Sequence, residues 1–169
     1  MIHALQSLLL LIFPVLVIVA ALRDATSYTI PNWISLALLA GFPPVALALG
    51  LPLGVIGLNL GIGGVALATG MGMFALGWIG GGDAKLFAAA ALWLGWPAAI
   101  SYLAITGMAG GALAVGLLGL RSIYVRPFVP AGPAWFARLA QPGENVPYGV
   151  AIALGALMAF PASALVAHF

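Results

Sequence analysis

Asp24 and Asp83 are the side chains of this sequence best suited to chemistry. Asp83 sits in the run Gly80-Gly81-Gly82-Asp83-Ala84-Lys85-Leu86, between two long apolar stretches, in a chain whose residues are only 5% charged. A carboxylate near hydrocarbon is costly, by about 2.5–3.5 kcal/mol at a helix centre on insertion scales. Glycine permits close approach of backbone or of a bound chain where a side chain would block it. Asp24 follows Arg23, just past the first apolar stretch. Two carboxyl groups a few Å apart cannot both ionise comfortably, so the pair shares a proton. Aspartic proteases use that arrangement to activate water and to protonate the leaving group. The residue order puts both acids at one face and leaves open whether they meet or stand apart as loop-end acids.

The elements that must position them are apolar helices. Of the 169 residues, 64% are hydrophobic, against about 45–50% apolar in soluble domains, and the mean hydropathy is +1.23. Apolar runs of about 18 residues recur along the whole chain, which predicts an all-α polytopic membrane bundle of about six spans, forming one domain over residues 1–169. The ten-residue alternation of a membrane barrel is missing. The first span covers residues 4–22. No Lys or Arg precedes it, so it reads as a retained helix rather than a cleaved signal peptide. The second runs from Trp33 to Leu49, started by Pro31 and kinked at Pro43-Pro44. The third, Leu53 to Ile79, is glycine-rich; Gly57 and Gly61, like Gly107 and Gly111 further on, have the spacing of a close-packing helix face. The fourth apolar run, Leu86 to Leu94, is short: ten to twelve helical residues cover about 15–18 Å of a hydrocarbon core about 30 Å thick. It is therefore expected as a half-span or an irregular continuation through Gly95-Trp96-Pro97. The fifth span is Ala98 to Leu120, and the last runs from Val146-Pro147-Tyr148-Gly149 to about Ala167. The long connection 121–146 mixes Arg, Pro (Pro127, Pro130, Pro133, Pro142) and aromatic residues, as a segment lying in the interface would.

Threading six spans puts Arg23, Asp24, Asp83, Lys85, Arg121, Arg126, Arg138 and Glu144 on one side, in the connections 23–32, 80–85 and 121–146. These are all the charged side chains of the chain. The opposite side holds both termini, with His3 and His168. By the positive-inside rule the charged face is cytoplasmic and the termini are outside. A net charge of +2 then reports topology, not affinity for nucleic acid. With no cysteine, disulfides, thiol nucleophiles and cysteine metal sites are excluded. The two histidines lie on the far side, without a Gly-x-Ser-x-Gly or a His-Glu-x-x-His, so serine and zinc membrane proteases are disfavoured. Neither a phosphate loop nor a dinucleotide fingerprint is present, and no cofactor or metal is expected. Aspartyl chemistry remains.

Three motifs carry a family resemblance. Gly80-Gly81-Gly82-Asp83 fits Gly-x-Gly-Asp, extended as Gly-Asp-Ala-Lys-Leu. Asp24 stands six residues before Ile30-Pro31-Asn32, and Val146-Pro147-Tyr148-Gly149-Val150-Ala151 opens the last span. Together, over nearly the whole chain, they resemble the type IV prepilin peptidases, particularly the short branch serving tight-adherence (Flp-type) pili. The resemblance implies that Asp24 and Asp83 are the catalytic pair. It implies cleavage of the basic leader of prepilin-like subunits at the cytoplasmic face of the bacterial plasma membrane, with pilus assembly machinery as a possible partner. Gly80, Gly82, Lys85, Pro31, Asn32, Pro147, Tyr148 and Gly149 would support catalysis or bind substrate. Lys85 would either steady charge near Asp83 or anchor the interface, and Asn32 would act there or merely start a helix. Tyr148 also suits an aromatic belt, and Glu144 reads as solvated loop. Longer relatives add a Cys-x-x-Cys domain and methylate the new N-terminus. That domain is not recognisable here, and peptidase activity alone is expected. Two other readings stand beside this one: a proton-coupled carrier, which would need a polar path along several spans, and a non-catalytic assembly subunit.

Overall fold

The computed structural model describes residues 2–128 and 132–169, so Pro130 of the long connection lies outside the described residues. The protein is an all-α polytopic bundle, with no strand among the described residues. Its helices are α1 (Ile2–Leu10), α2 (Ile12–Ser27), α3 (Asn32–Ala48), α4 (Leu53–Ala75), α5 (Gly81–Leu94), α6 (Ala98–Leu120), α7 (Ala134–Leu139), α8 (Tyr148–Ala159) and α9 (Ala164–Ala167). Short 3-10 turns occupy Arg126–Phe128 and Phe160–Ala162. Four stretches are long and apolar enough to cross a membrane: His3–Ser27, Leu53–Ala75, Ala98–Leu120 and Tyr148–Ala167. The apolar α3, with 17 residues, and α5, with 14, are shorter.

The bundle is built around α5. From Ala84 to Gly95 nearly every residue is buried, and α5 packs on α2, α3, α4, α6 and α8. A helix apolar on all sides belongs in the interior, which resolves the puzzle of its length: α5 is about 21 Å long at 1.5 Å per residue and is enclosed by protein. Trp93 anchors it. Its indole is fully buried, stacks on Phe13 at 5.5 Å between centroids, meets Phe42 edge-on at 6.1 Å, and donates to Leu38 O at 2.7 Å.

Several expected boundaries move. The polar run Gly81–Lys85 is the first turn and a half of α5 rather than a loop, because Gly80 caps it and Asp83 folds back on the cap. Likewise Asp24 lies inside α2, not beyond a span: Phe13, Val17, Ala20 and Asp24 form one buried stripe along that helix. The break between α1 and α2 falls at Leu11, where Pro14 lacks the N–H that Leu10 O would accept. Pro43 and Pro44 lie inside α3, which continues through them.

The expected packing glycines are also corrected. Gly57, Gly61, Gly107 and Gly111 are exposed, and a Cβ on any of them would meet nothing within 4 Å. The close approach is made by Gly63 and Gly70 of α4. A Cβ there would come within 3.0 Å of Leu92 Cβ and 3.1 Å of Ala84 Cα on α5.

Candidate active site

Asp24 and Asp83 arrive at one cavity from different helices. Asp24 is the last buried residue of the α2 stripe, with 5% of its surface exposed. Its helix ends one turn later at Tyr28, which adopts a left-handed conformation (φ 52°) and returns its N–H to Asp24 O at 2.9 Å. Asp83, 9% exposed, is the third residue of α5. Its Oδ2 accepts from Gly80 N–H at 3.1 Å. This is half of a capping box, glycine having no side chain to return the bond. A carboxylate here also meets the positive end of the α5 dipole.

Both acids line a cavity of about 500 Å³ together with Tyr28, Trp78, Gly80, Glu144 and Tyr148. The two carboxyl groups are close enough for the charge of Asp83 to act on Asp24. Gly149 N–H, in the first turn of α8, holds the first of them: it donates to Asp24 Oδ2 at 2.7 Å. Its lack of a side chain makes this possible, since a Cβ would lie 2.8 Å from both Asp24 Oδ2 and Ile30 Cδ1. Among the described residues Asp83 Oδ1 has no hydrogen-bond partner. Tyr28 Oη lies beside the Arg121 guanidinium without completing a hydrogen bond to it. Burial and the nearby Glu144 raise the Tyr28 phenol above its ordinary range, opposed by Arg121 and Arg138.

The remaining sequence-predicted residues divide. Gly80, Tyr148 and Gly149 belong to this site, and Tyr148 also packs over Gly110 of α6. Pro147 is buried and precedes α8; Gly82 packs on Ile30, where a Cβ would lie 3.1 Å from Ile30 Cβ. Pro31 precedes α3 and fixes its start. Lys85 and Asn32 are elsewhere: Lys85 Nζ donates to Asn32 Oδ1 at 2.9 Å, and both line a second cavity.

Glu144, expected in solvated loop, is half-buried in the cavity wall. The reason is Arg121, whose guanidinium donates to Leu139 O (2.8 Å), Glu144 O (2.7 Å) and Asn145 O (2.9 Å), tying the connection down across the cavity. Tyr28 and Trp78 were not singled out from the sequence. Tyr28 had a signal: it stands one turn after Asp24 on the same helical stripe.

The cavity thus offers two buried, oriented carboxyl groups and a polar wall reachable from the charged connections. No curated protein and no solved structure matches the chain. The family model described as type IV leader peptidase family matches residues 11–115, a stretch that includes α2 to α5 and both acids. The match covers more than half of the sequence, and the chain belongs to the type IV leader peptidase family.

Proposed function

We propose that the protein is an aspartic endopeptidase that removes the short basic leader from prepilin-like subunits at the cytoplasmic face of the bacterial plasma membrane. The observation that carries this reading is the convergence of Asp24 and Asp83, each held by a backbone N–H, in the wall of one cavity. In the reaction, one carboxylate takes a proton from water as the water oxygen attacks the scissile carbonyl. The other carboxyl gives its proton to the tetrahedral intermediate. Collapse then breaks the C–N bond: the first acid passes the proton it took from water to the departing nitrogen, which leaves as an amine, and a hydroxyl of the intermediate returns its proton to the second carboxylate, so one water is consumed per bond cleaved. The Gly149 N–H keeps the Asp24 carboxyl in place and restricts its rotation.

Membership of the family supports a leader peptidase in general; the aspartyl mechanism, the substrates and the absence of methyl transfer belong to this proposal. Six passes, four of them of full length, with both termini outside, complete it.

The test is the size shift of a prepilin-like subunit, with a basic leader ending in glycine, on incubation with purified protein in detergent. Wild type cleaves it. Asp24→Asn and Asp83→Asn each lower cleavage by at least about 1,000-fold, the scale lost when an acid or base essential to the step is removed. Cleavage that survives at the wild-type rate in either variant rejects the pair as the catalytic engine.

A further inference from the structure

On the side of α5 away from the two acids lies a second cavity of about 500 Å³. Lys85, Ala88, Ala89 and Leu92 form its floor, spaced i, i+3, i+4, i+7 along one stripe of α5. At 100° per residue, Asp83 lies about 200° from Lys85, so α5 separates this groove from the catalytic cavity. One wall is α3, presenting Asn32, Ser35 and Leu39; the other is α4, presenting Gly63, Gly64 and Leu67.

The lining is graded. Its polar side chains, Asn32, Ser35 and Lys85, stand in the first turn or two of α3 and α5, at the end of the bundle where the charged connections lie. Inward from there the surface is Leu, Ala and Gly. The hydrogen bond to Asn32 Oδ1 holds the Lys85 ammonium over the mouth, and among the described residues its other two N–H donors have no partner. The stripe of seven steps is about 10 Å long, which fits within one leaflet of a core about 30 Å thick. A spanning helix would need three times that length. A cation at the headgroup level above a short apolar trough matches a molecule with an anionic head and hydrocarbon tail.

We infer that this groove binds an anionic phospholipid, its phosphate on Lys85 and an acyl chain lying between α3 and α4. The site is separate from peptide cleavage and its test needs no catalytic readout. Delipidated protein in detergent is incubated with equal amounts of phosphatidylglycerol and phosphatidylcholine of the same acyl composition, and bound lipid is counted by native mass spectrometry. The wild type retains phosphatidylglycerol in preference. Lys85→Ala lowers that preference by about fivefold, the share of one lysine at an anionic surface, and Lys85→Arg keeps it. Gly64→Leu, whose Cβ has nothing within 4 Å and whose side chain extends into the trough, loses both lipids. Equal retention of the two lipids by wild type, or an unchanged preference in Lys85→Ala, overturns the inference. So does a photo-crosslinker at position 64 that captures a prepilin-like peptide in membranes rather than lipid; that result would give the groove to the substrate's helix.

Discussion

Gly149 decides the geometry of the acids more directly than any side chain near them. Its N–H is the hydrogen bond that holds Asp24, and its missing Cβ is the space in which the carboxyl and Ile30 sit. A methyl group there would overlap both at 2.8 Å, and the backbone of α8 cannot yield as a flexible side chain would. Gly149→Ala should therefore push Asp24 off its position and lower kcat by about 100-fold, the cost of an ångström of misplacement. Circular dichroism and the melting temperature should change far less than the rate; an unchanged kcat would mean that Gly149 does not set the carboxyl. The proposed pair, holding one proton between two carboxyl groups, makes a second prediction at this scale. Below the range in which one carboxyl of the pair is ionised there is no base, and above the range in which one is protonated there is no acid. The profile of kcat/KM against pH should fall on both limbs, and a flat profile would remove the pair mechanism.

At the scale of elements, the short apolar run Leu86 to Leu94 was legible, and the beginning of α5 had to be found in the structure. Its charged and glycine-rich first turn resembles a loop in sequence, because helix propensity penalises the glycines, while the compensating interactions come from α2, α4 and α8 and are not local. Spans such as Ala98–Leu120 were legible because hydropathy alone bounds them, and Pro31 and Pro147 marked helix starts that the structure keeps. The pair of acids was legible as a matter of face, whereas the hold on Asp24 comes from Gly149, far from both in sequence. Glycine spacing misled, since an i, i+4 pair does not say which way it faces. That distinction is measurable. Gly70→Leu must push a side chain into Ala84, 3.1–3.2 Å from where its Cβ would lie, and overpacking of this kind costs about 1–3 kcal/mol. The Cβ of Gly57→Leu meets nothing within 4 Å, and the residue is exposed. In detergent the first should melt several degrees below wild type and the second close to it. Equal shifts would show that α4 does not lean on α5 through Gly70.

The whole molecule has two unlike ends. At one, the cavity of the two acids gathers residues from the connections after α2, α4 and α7, and Arg121 ties the end of α6 to residues 139–145. At the other, His3 packs edge-on against Phe169 at 6.2 Å, and Gln6 donates to Ala48 O near the end of α3. All the charged side chains belong to the helix ends and connections of the first set. A leader peptide is made in the cytoplasm, so the proposed function requires the cavity to open there, and the positive-inside rule applied to the five Lys and Arg residues predicts the same orientation. The chain contains no cysteine, so single cysteines report the topology without background. Leu53→Cys, 78% exposed at the start of α4, should react with a membrane-impermeant maleimide added to intact spheroplasts. Ala137→Cys, exposed in α7, should react only in inverted vesicles or after permeabilisation. The reverse pattern would place Asp24 and Asp83 on the far side of the membrane from any leader. It would then leave the convergent acids without their substrate, and cleavage of prepilin-like subunits would have to be abandoned as the function, however well the purified protein performed in detergent.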